Sequence, residues 1–434
     1  MMREAIRASF LHFTDKPDPV AASGYDYYED GIMVIKDGRI ESLDHADRLL
    51  ALLPDDVELD QSMRGKLIMP GMIDTHTHYP QVNIIAAYGE QLLDWLEKYT
   101  YPAEMRFGNT DYAESVADVF IQECLRNGTT TAMVYGTVHP ESVQAFFKVS
   151  HQYNTRMIAG KVMMDRNAPE ALLDNPEQSY QDSGDLIQQW HDKGRQSYAI
   201  TPRFAPTSSP AQLQLAGQLK QAFPEVYVQT HVSENKQETE WVRELFPESE
   251  SYLQVYQHYG LLSDKTIMGH GIYLDDAELA MAAEYGSSIA FCPTSNLFLG
   301  SGLLNLKRCE SFGVDTCLAT DVGAGTSFSM FRTMQAAYEV SQLKGYSIDP
   351  LQAFYTVTLG NAKSLKLDSM IGNFEIGKEA DFIVLDLQAT ELMRYRLASC
   401  QTLTEKLFVL MYLGDDRLVE RTYIMGKRAH DKNK

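Results

Sequence analysis

Leu67-Ile68-Met69-Pro70-Gly71-Met72-Ile73-Asp74-Thr75-His76-Thr77-His78 is an apolar run that ends on two histidines one residue apart. In an extended strand, side chains two apart share a face, so His76 and His78 leave the strand end together. Imidazole is a neutral nitrogen ligand for zinc and iron, and two of them on one face make half of a metal site. The same pair also fits a polar strand end carrying two unrelated histidines. The residues downstream of the pair separate these possibilities.

Past His78, apolar runs alternate with helical stretches. The candidate strands are Leu67–Asp74, Thr129–Tyr135, Met157–Met163, Tyr198–Pro202, Tyr227–Thr230, Thr266–Gly269, Ser288–Phe291 and Asp315–Ala319. Helical patterns such as Tyr112–Asn127, Pro210–Phe223 and Asp275–Tyr285 lie between them. Eight strands, each followed by a helix or long loop, predict an α/β chain built on a closed parallel (β/α)8 barrel. A doubly wound open sheet is the alternative topology. No GxGxxG leads from a strand into a helix, so a dinucleotide-binding sheet has no positive support. The two ends of the chain read differently. Gly31–Ile40 is a strand, an Asp-Gly turn and a returning strand, while Ala380–Asp386 and Arg421–Lys427 are strand-like. Residues 1–66 and 371–434 are therefore expected to pair into one small composite β domain around a catalytic barrel of residues 67–370.

A barrel places its active site at the C-terminal ends of its strands. Ligand-type residues do fall there. His76 and His78 follow strand 1, Arg203 follows strand 4, His231 strand 5, His270 strand 6 and Asp321 strand 8. Four of the chain's 11 histidines occupy these positions, and an aspartate closes the ring, a set that core packing does not explain. Three histidines and a carboxylate leave a coordination position open for water on a divalent ion, and zinc lowers the pKa of such a water toward neutrality. Glu234, three residues after His231, stands close enough to shuttle protons. A charge in the first turn of a helix is its alternative reading. Dinuclear hydrolases on such a barrel use a bridging lysine after strand 4. Arg203 stands there instead, and its charge cannot be removed, so one ion per chain is expected. Lys161 near the end of strand 3 reads as structural, and Cys292 as packing.

Composition sets the wider limits. The chain has 434 residues, 44% of them hydrophobic, with a net charge of −21. That charge argues against a nucleic-acid backbone or an anionic membrane as partner. Five widely spaced cysteines without a CxxC argue against a disulfide framework and for a reducing compartment. Early charges in Met1–Arg7, and the lack of any apolar stretch of membrane-spanning length, predict a cytoplasmic protein.

The order His76-x-His78, His231, His270, Asp321 resembles the metal-binding barrel of the amidohydrolase superfamily. Gly377–Asp386 resembles that family's return into its β-sandwich. Tyr79-Pro80-Gln81, Leu92–Thr100 with Pro102-Ala103-Glu104, Pro202-Arg203-Phe204, Cys292–Leu297 and Tyr412–Arg417 resemble its guanine-deaminating branch. The resemblance implies a TIM-like metal-dependent hydrolase barrel with a composite β-sandwich, hydrolysis of guanine at C2 to xanthine and ammonia, one Zn2+ per chain (a set that Fe2+ also suits) and a homodimer. It implies His76, His78, His231 and Asp321 as metal ligands and His270 as the histidine that orients the water. Glu234 becomes the proton shuttle, and Gln81, Arg203 and Phe204, beside His231 and Glu234, the residues around the purine. On that reading Asp321 takes a proton from the attacking water, Glu234 protonates N3, and His270 stabilises the adduct. Arg203 offers a donor fork to O6, which adenine lacks. The alternatives are another aminohydrolase of the superfamily, acting on a cytosine, triazine or adenosine-type ring, and an inactive barrel serving as a scaffold.

Overall fold

The computed structural model describes residues 3–54, 57–89 and 91–433. Met1 and Met2, the first residues of the charged N-terminal stretch, lie outside them. Among the described residues, eight parallel strands form the barrel: Met72–His78, Thr129–Tyr135, Arg156–Gly160, Gln196–Pro202, Tyr227–Val232, Thr266–His270, Ser288–Phe291 and Thr316–Leu318. Two of the expected strands are broken. Leu67–Asp74 divides at Gly71, and its first half, Leu67–Pro70, pairs with strands of the composite domain. Met157–Met163 divides at Lys161, with Val162–Met163 forming a separate short strand. No described helix is long and apolar enough to cross a membrane.

Each strand contributes one buried side chain to a layer across the barrel's lower interior: Ile73, Met133, Ile158, Ala199, Tyr227, Ile267, Ala290 and Cys317. Leu365, Leu367 and Ile371 pack against the same layer. The barrel is therefore a filled core with its polar residues collected above it. The surrounding helices start where their caps dictate. Asn109 accepts from the amide of Tyr112 to open Thr110–Arg126, which buries Ala113, Ala117, Phe120, Ile121 and Cys124 at helical spacing. Asp275 and Glu278 form a reciprocal capping box at the start of Asp276–Tyr285.

Both termini meet in one continuous sheet. Arg3–Asp18 pairs with Ser23–Lys36, which turns through Asp37-Gly38 into Arg39–His45. Phe382–Leu385 joins Leu67–Pro70 to Val419–Ile424 and Lys427–Asp431. Asp37 and Gly38 both have positive φ, 50° and 81°, as a two-residue hairpin turn requires. The composite domain is bonded to the underside of the barrel by a buried ion network. Arg156 donates to both carboxylate oxygens of Glu379, at 3.1 and 2.6 Å, and Arg195 donates to Glu379 at 2.7 Å and to Asp381.

The first and last strands are joined mainly by side chains. Asn361 Nδ2 donates to the carbonyls of Ile73 (2.7 Å) and Leu318 (2.8 Å), and its Oδ1 accepts from the Leu318 amide at 3.0 Å. Asp74 accepts from the amide and the hydroxyl of Thr320. Above these, the Asp321 amide donates to the His76 carbonyl at 2.9 Å, and the His78 amide to the Val322 carbonyl at 2.6 Å. This seam sets Asp321 against the two histidines. Asn361→Ala removes three buried bonds and leaves backbone groups unpaired. A loss of stability of about 2–5 kcal/mol is expected. Urea unfolding at fixed metal concentration measures it, and an unchanged midpoint would show that the barrel closes without Asn361.

Candidate active site

The histidines of strand 1 sit 1% and 3% exposed, their ring centroids 5.2 Å apart. The His231 ring lies 4.7 Å from that of His76 and 5.2 Å from that of His78. His231 Nδ1 lies 2.7 Å from the carbonyl oxygen of Arg203. A carbonyl only accepts, so the proton is on Nδ1 and the Nε2 lone pair points inward. That Nε2 is 3.3 Å from Nε2 of His78. Asp321 Oδ1 lies 3.5 Å from His76 Nε2 and 3.3 Å from His78 Nε2. Residue 269 has to be glycine, because a Cβ there would fall 2.6 Å from Cε1 of His76. His270 and Asp321 hold left-handed backbones, φ 73° and 53°, which is uncommon outside glycine and turns their side chains inward at the strand ends.

These residues fit a divalent cation. Both ring nitrogens of His76 and Nδ1 of His78 are buried without a hydrogen-bond partner, a costly state for isolated polar atoms. Burial pushes His78 down to about 3 and His231 well below the usual imidazole range, so both rings are neutral. Burial also opposes the charge on Asp321, but contacts with His76 and His78 outweigh it and hold the carboxyl well below its ordinary value. Neutral imidazoles around an ionised carboxylate are the protonation states that ligation needs. Ligand atoms of His76, His78 and His231 lie within 4.8 Å of one another, as do those of His76, His270, Cys292 and Asp321. The Cys292 thiol adjoins this cluster while packed in the buried core of the barrel. Burial keeps it protonated, and it donates to the Ala290 carbonyl at 3.4 Å.

His270 and Glu234 adjoin this cluster. His270 Nδ1 meets Asn296 Oδ1 at 2.9 Å, and its Nε2 faces Glu234 Oε2 at 3.4 Å and Asp321 Oδ2 at 3.9 Å. Burial, with the Asp321 charge adding to it, pushes Glu234 up to about 8, and a 2.9 Å hydrogen bond from Ser301 offsets only part of this. Burial thus holds Glu234 toward its protonated form. Its backbone is fixed by Glu238, which accepts from the amides of Glu234 and Asn235 and from the Tyr252 hydroxyl.

A cavity opens over these groups. Leu92, Trp95, Leu96, Phe204 and Leu299 form its apolar walls, while His78, Gln81, Arg203, His231, Glu234, His270 and Asp321 supply polar atoms. Arg203 is 3% exposed, and one arm of its guanidinium donates to Glu104 at 2.7 Å. Both ends of the Gln81 amide are engaged. Nε2 donates to Glu104 at 3.1 Å, and Oε1 accepts from the Gly323 amide at 3.4 Å. Gly323 has no room for a side chain, since a Cβ would sit 2.6 Å from the Gln81 carbonyl.

The sequence model of the amidohydrolase family matches residues 67–429. The chain belongs to the amidohydrolase family. Guanine deaminase of Escherichia coli (strain K12) is 50% identical to it over 99% of this chain and 98% of that protein. The solved structure of E. coli guanine deaminase superposes with a TM-score of 0.97, covering 99% of this chain and all of that one. A guanine deaminase from C. acetobutylicum, solved with guanine bound in its active site, is 28% identical with a TM-score of 0.88, covering 98% and 100% of the two chains.

For a member of this family, the structure brings His78, Arg203, His231, His270 and Asp321 to one cavity rim, with His76 clustered against them but not lining the cavity. Lys161 is apart. Its ammonium is fully buried against Asp174 (2.6 Å) and Ser179 (3.0 Å), fastening strand 3 to the following helix. Sequence reasoning gives no role to Glu104, Asn296, Ser301 or Tyr135, although the Tyr135 ring stacks on His78 at 4.4 Å. Glu104 and Asn296 fall in segments that carry the family resemblance, but a lone acid or amide in a short helix has no periodicity to single it out.

Proposed function

We propose that this chain hydrolyses guanine at C2, breaking the bond to the exocyclic amine and forming one to a water oxygen, with xanthine and ammonia as products. The observation that carries the reading is a single cavity onto which the buried His/Asp cluster, Glu234, Arg203 and Gln81 all open. Full-length likeness to guanine deaminases supports it.

His76, His78, His231 and Asp321 would hold the ion. A divalent cation there supplies the electrostatic pull that makes a water acidic enough to attack at neutral pH. Asp321, ionised and beside two ligand histidines, accepts a proton from that water. Glu234 donates its proton to ring N3, which makes C2 more electrophilic, and afterwards takes the proton of the new C2 hydroxyl and carries it to the departing amine. His270 faces both carboxylates and stabilises charge developing at C2. The remaining Arg203 N–H groups meet O6 and Gln81 meets the adjoining edge, while Phe204 and Trp95 wall the ring from solvent. Nitrogen and oxygen donors together favour zinc, with iron also compatible, and Arg203 in the strand-4 position favours one ion. A homodimer and a cytoplasmic location complete the proposal. The first rests on the resemblance, and the second is supported by five unpaired cysteines.

Ammonia release from guanine, adenine and cytosine, with chloride release from a chlorotriazine, tests the substrate. Turnover of guanine alone is expected, and activity on another ring without guanine would overturn the reading. Removing the ion with a chelator should abolish turnover, and one equivalent of zinc per chain should restore it. Metal analysis giving about two equivalents at full activity would refute the mononuclear site.

A further inference from the structure

Glu104 is buried to 1% exposure and does not line the cavity, yet it touches both residues assigned to the purine edges. Its Oε2 takes an Arg203 Nη1 proton at 2.7 Å, and its Oε1 takes a Gln81 Nε2 proton at 3.1 Å. Arg203 follows strand 4 and Gln81 follows strand 1, while Glu104 ends the Tyr101–Glu104 helix beyond the Trp95 segment. One carboxylate therefore ties two distant strand ends to the wall that covers them. Donor and acceptor chemistry then constrains both partners. A carboxylate only accepts, so Gln81 must turn its NH2 toward Glu104, which fixes the sense of its amide. An arginine held by one arm presents its other N–H groups in one plane, whereas a free side chain would sample many rotamers.

We propose that Glu104 is the positioning residue that makes this pocket prefer an oxygen at C6 of the purine. It acts through Arg203 and Gln81 without touching the base. The proposal rests on guanine being the substrate and adds the group that enforces that choice.

The test uses the metal-loaded full chain and two rings without a 2-amino group, so that neither is consumed. Hypoxanthine carries the C6 oxygen and purine carries nothing there, and the ratio of their inhibition constants isolates the C6 contact. In the native protein the ratio should favour hypoxanthine by about ten-fold or more, the range of a charge-assisted hydrogen bond. Glu104→Gln should bring it close to one and raise KM for guanine more than it lowers kcat, with metal content unchanged. If the ratio survives in Glu104→Gln, or if both rings weaken equally, Glu104 is only a fold element and the proposal fails. Glu104→Gln/Arg203→Met removes both charges and so guards against misfolding of the single variant. Its ratio should equal that of Arg203→Met alone, because the two residues act as one unit. A further drop would overturn action through Arg203. Native protein that neither discriminates the two rings nor turns over guanine would refute the guanine reading itself, a separate outcome.

Discussion

Glu234→Gln is expected to retain its metal and lose about a hundred-fold to ten-thousand-fold in kcat, the usual contribution of a placed proton donor. Glutamine keeps the size and the hydrogen bond to Ser301 but has no proton to transfer. Glu234 is pushed up, to about 8 in the metal-free protein, so the native rate should fall on the alkaline side as the acid ionises. That limb of the pH profile should vanish in the variant. Stability should respond over a wider window. An unfolded glutamate ionises near 4.5, whereas the folded one keeps its proton to about 8. Across that window the unfolded chain binds fewer protons, so stability of the metal-free protein declines as pH rises from about 4.5 to 8 and is level above. Glutamine carries no such penalty. Metal-free Glu234→Gln should therefore unfold later than the native chain at pH 7, by an amount on the order of a few kcal/mol. Near-normal turnover would remove Glu234 from the chemistry, and an equal or lower unfolding midpoint would remove the burial argument.

Arg203→Met is expected to damage the protein in two separable ways. Glu104 would stay buried with Gln81 as its remaining described partner, and breaking one side of a buried ion pair costs about 3–5 kcal/mol. The loss of the O6 contact should lower kcat/KM for guanine by about ten-fold to a hundred-fold or more, since hydrogen bonds to a charged group contribute about 1.5–3 kcal/mol each. Adding Glu104→Gln should restore the unfolding midpoint without restoring kcat/KM. Zinc content should be unchanged in all three proteins, because neither residue is among the proposed ligands. Unchanged kcat/KM in Arg203→Met would show that the arginine serves the fold alone.

The strands and the residues of the candidate site were legible in the sequence for a physical reason. A buried parallel strand is a continuous apolar run, and in a barrel the residue just past that run faces the site. His76, His78, His231, His270 and Asp321 could be found by that rule. Two strand boundaries could not. Gly71 breaks a run whose halves belong to different sheets, and nothing local distinguishes Leu67–Pro70 from the barrel strand after it. Nor could the residues that act on the site indirectly. Glu104, Ser301, Asn296 and Asn361 matter through partners far away in sequence, and a single polar side chain in a loop or short helix gives no periodic signal. The dual role of Arg203, ion pair and cavity wall together, likewise required knowing what Glu104 faces.

The seam between the first and last strands also orders events in time during synthesis. His76, His78 and His231 leave the ribosome well before Asp321, and Asn361 follows later still. A nascent chain that has reached strand 5 owns three imidazoles but neither the carboxylate nor the amide that draws strand 8 against strand 1. On the ligand set proposed above, the complete site would thus form only late in translation. A chain cut short before Asn361 lacks the amide that draws strand 8 against strand 1.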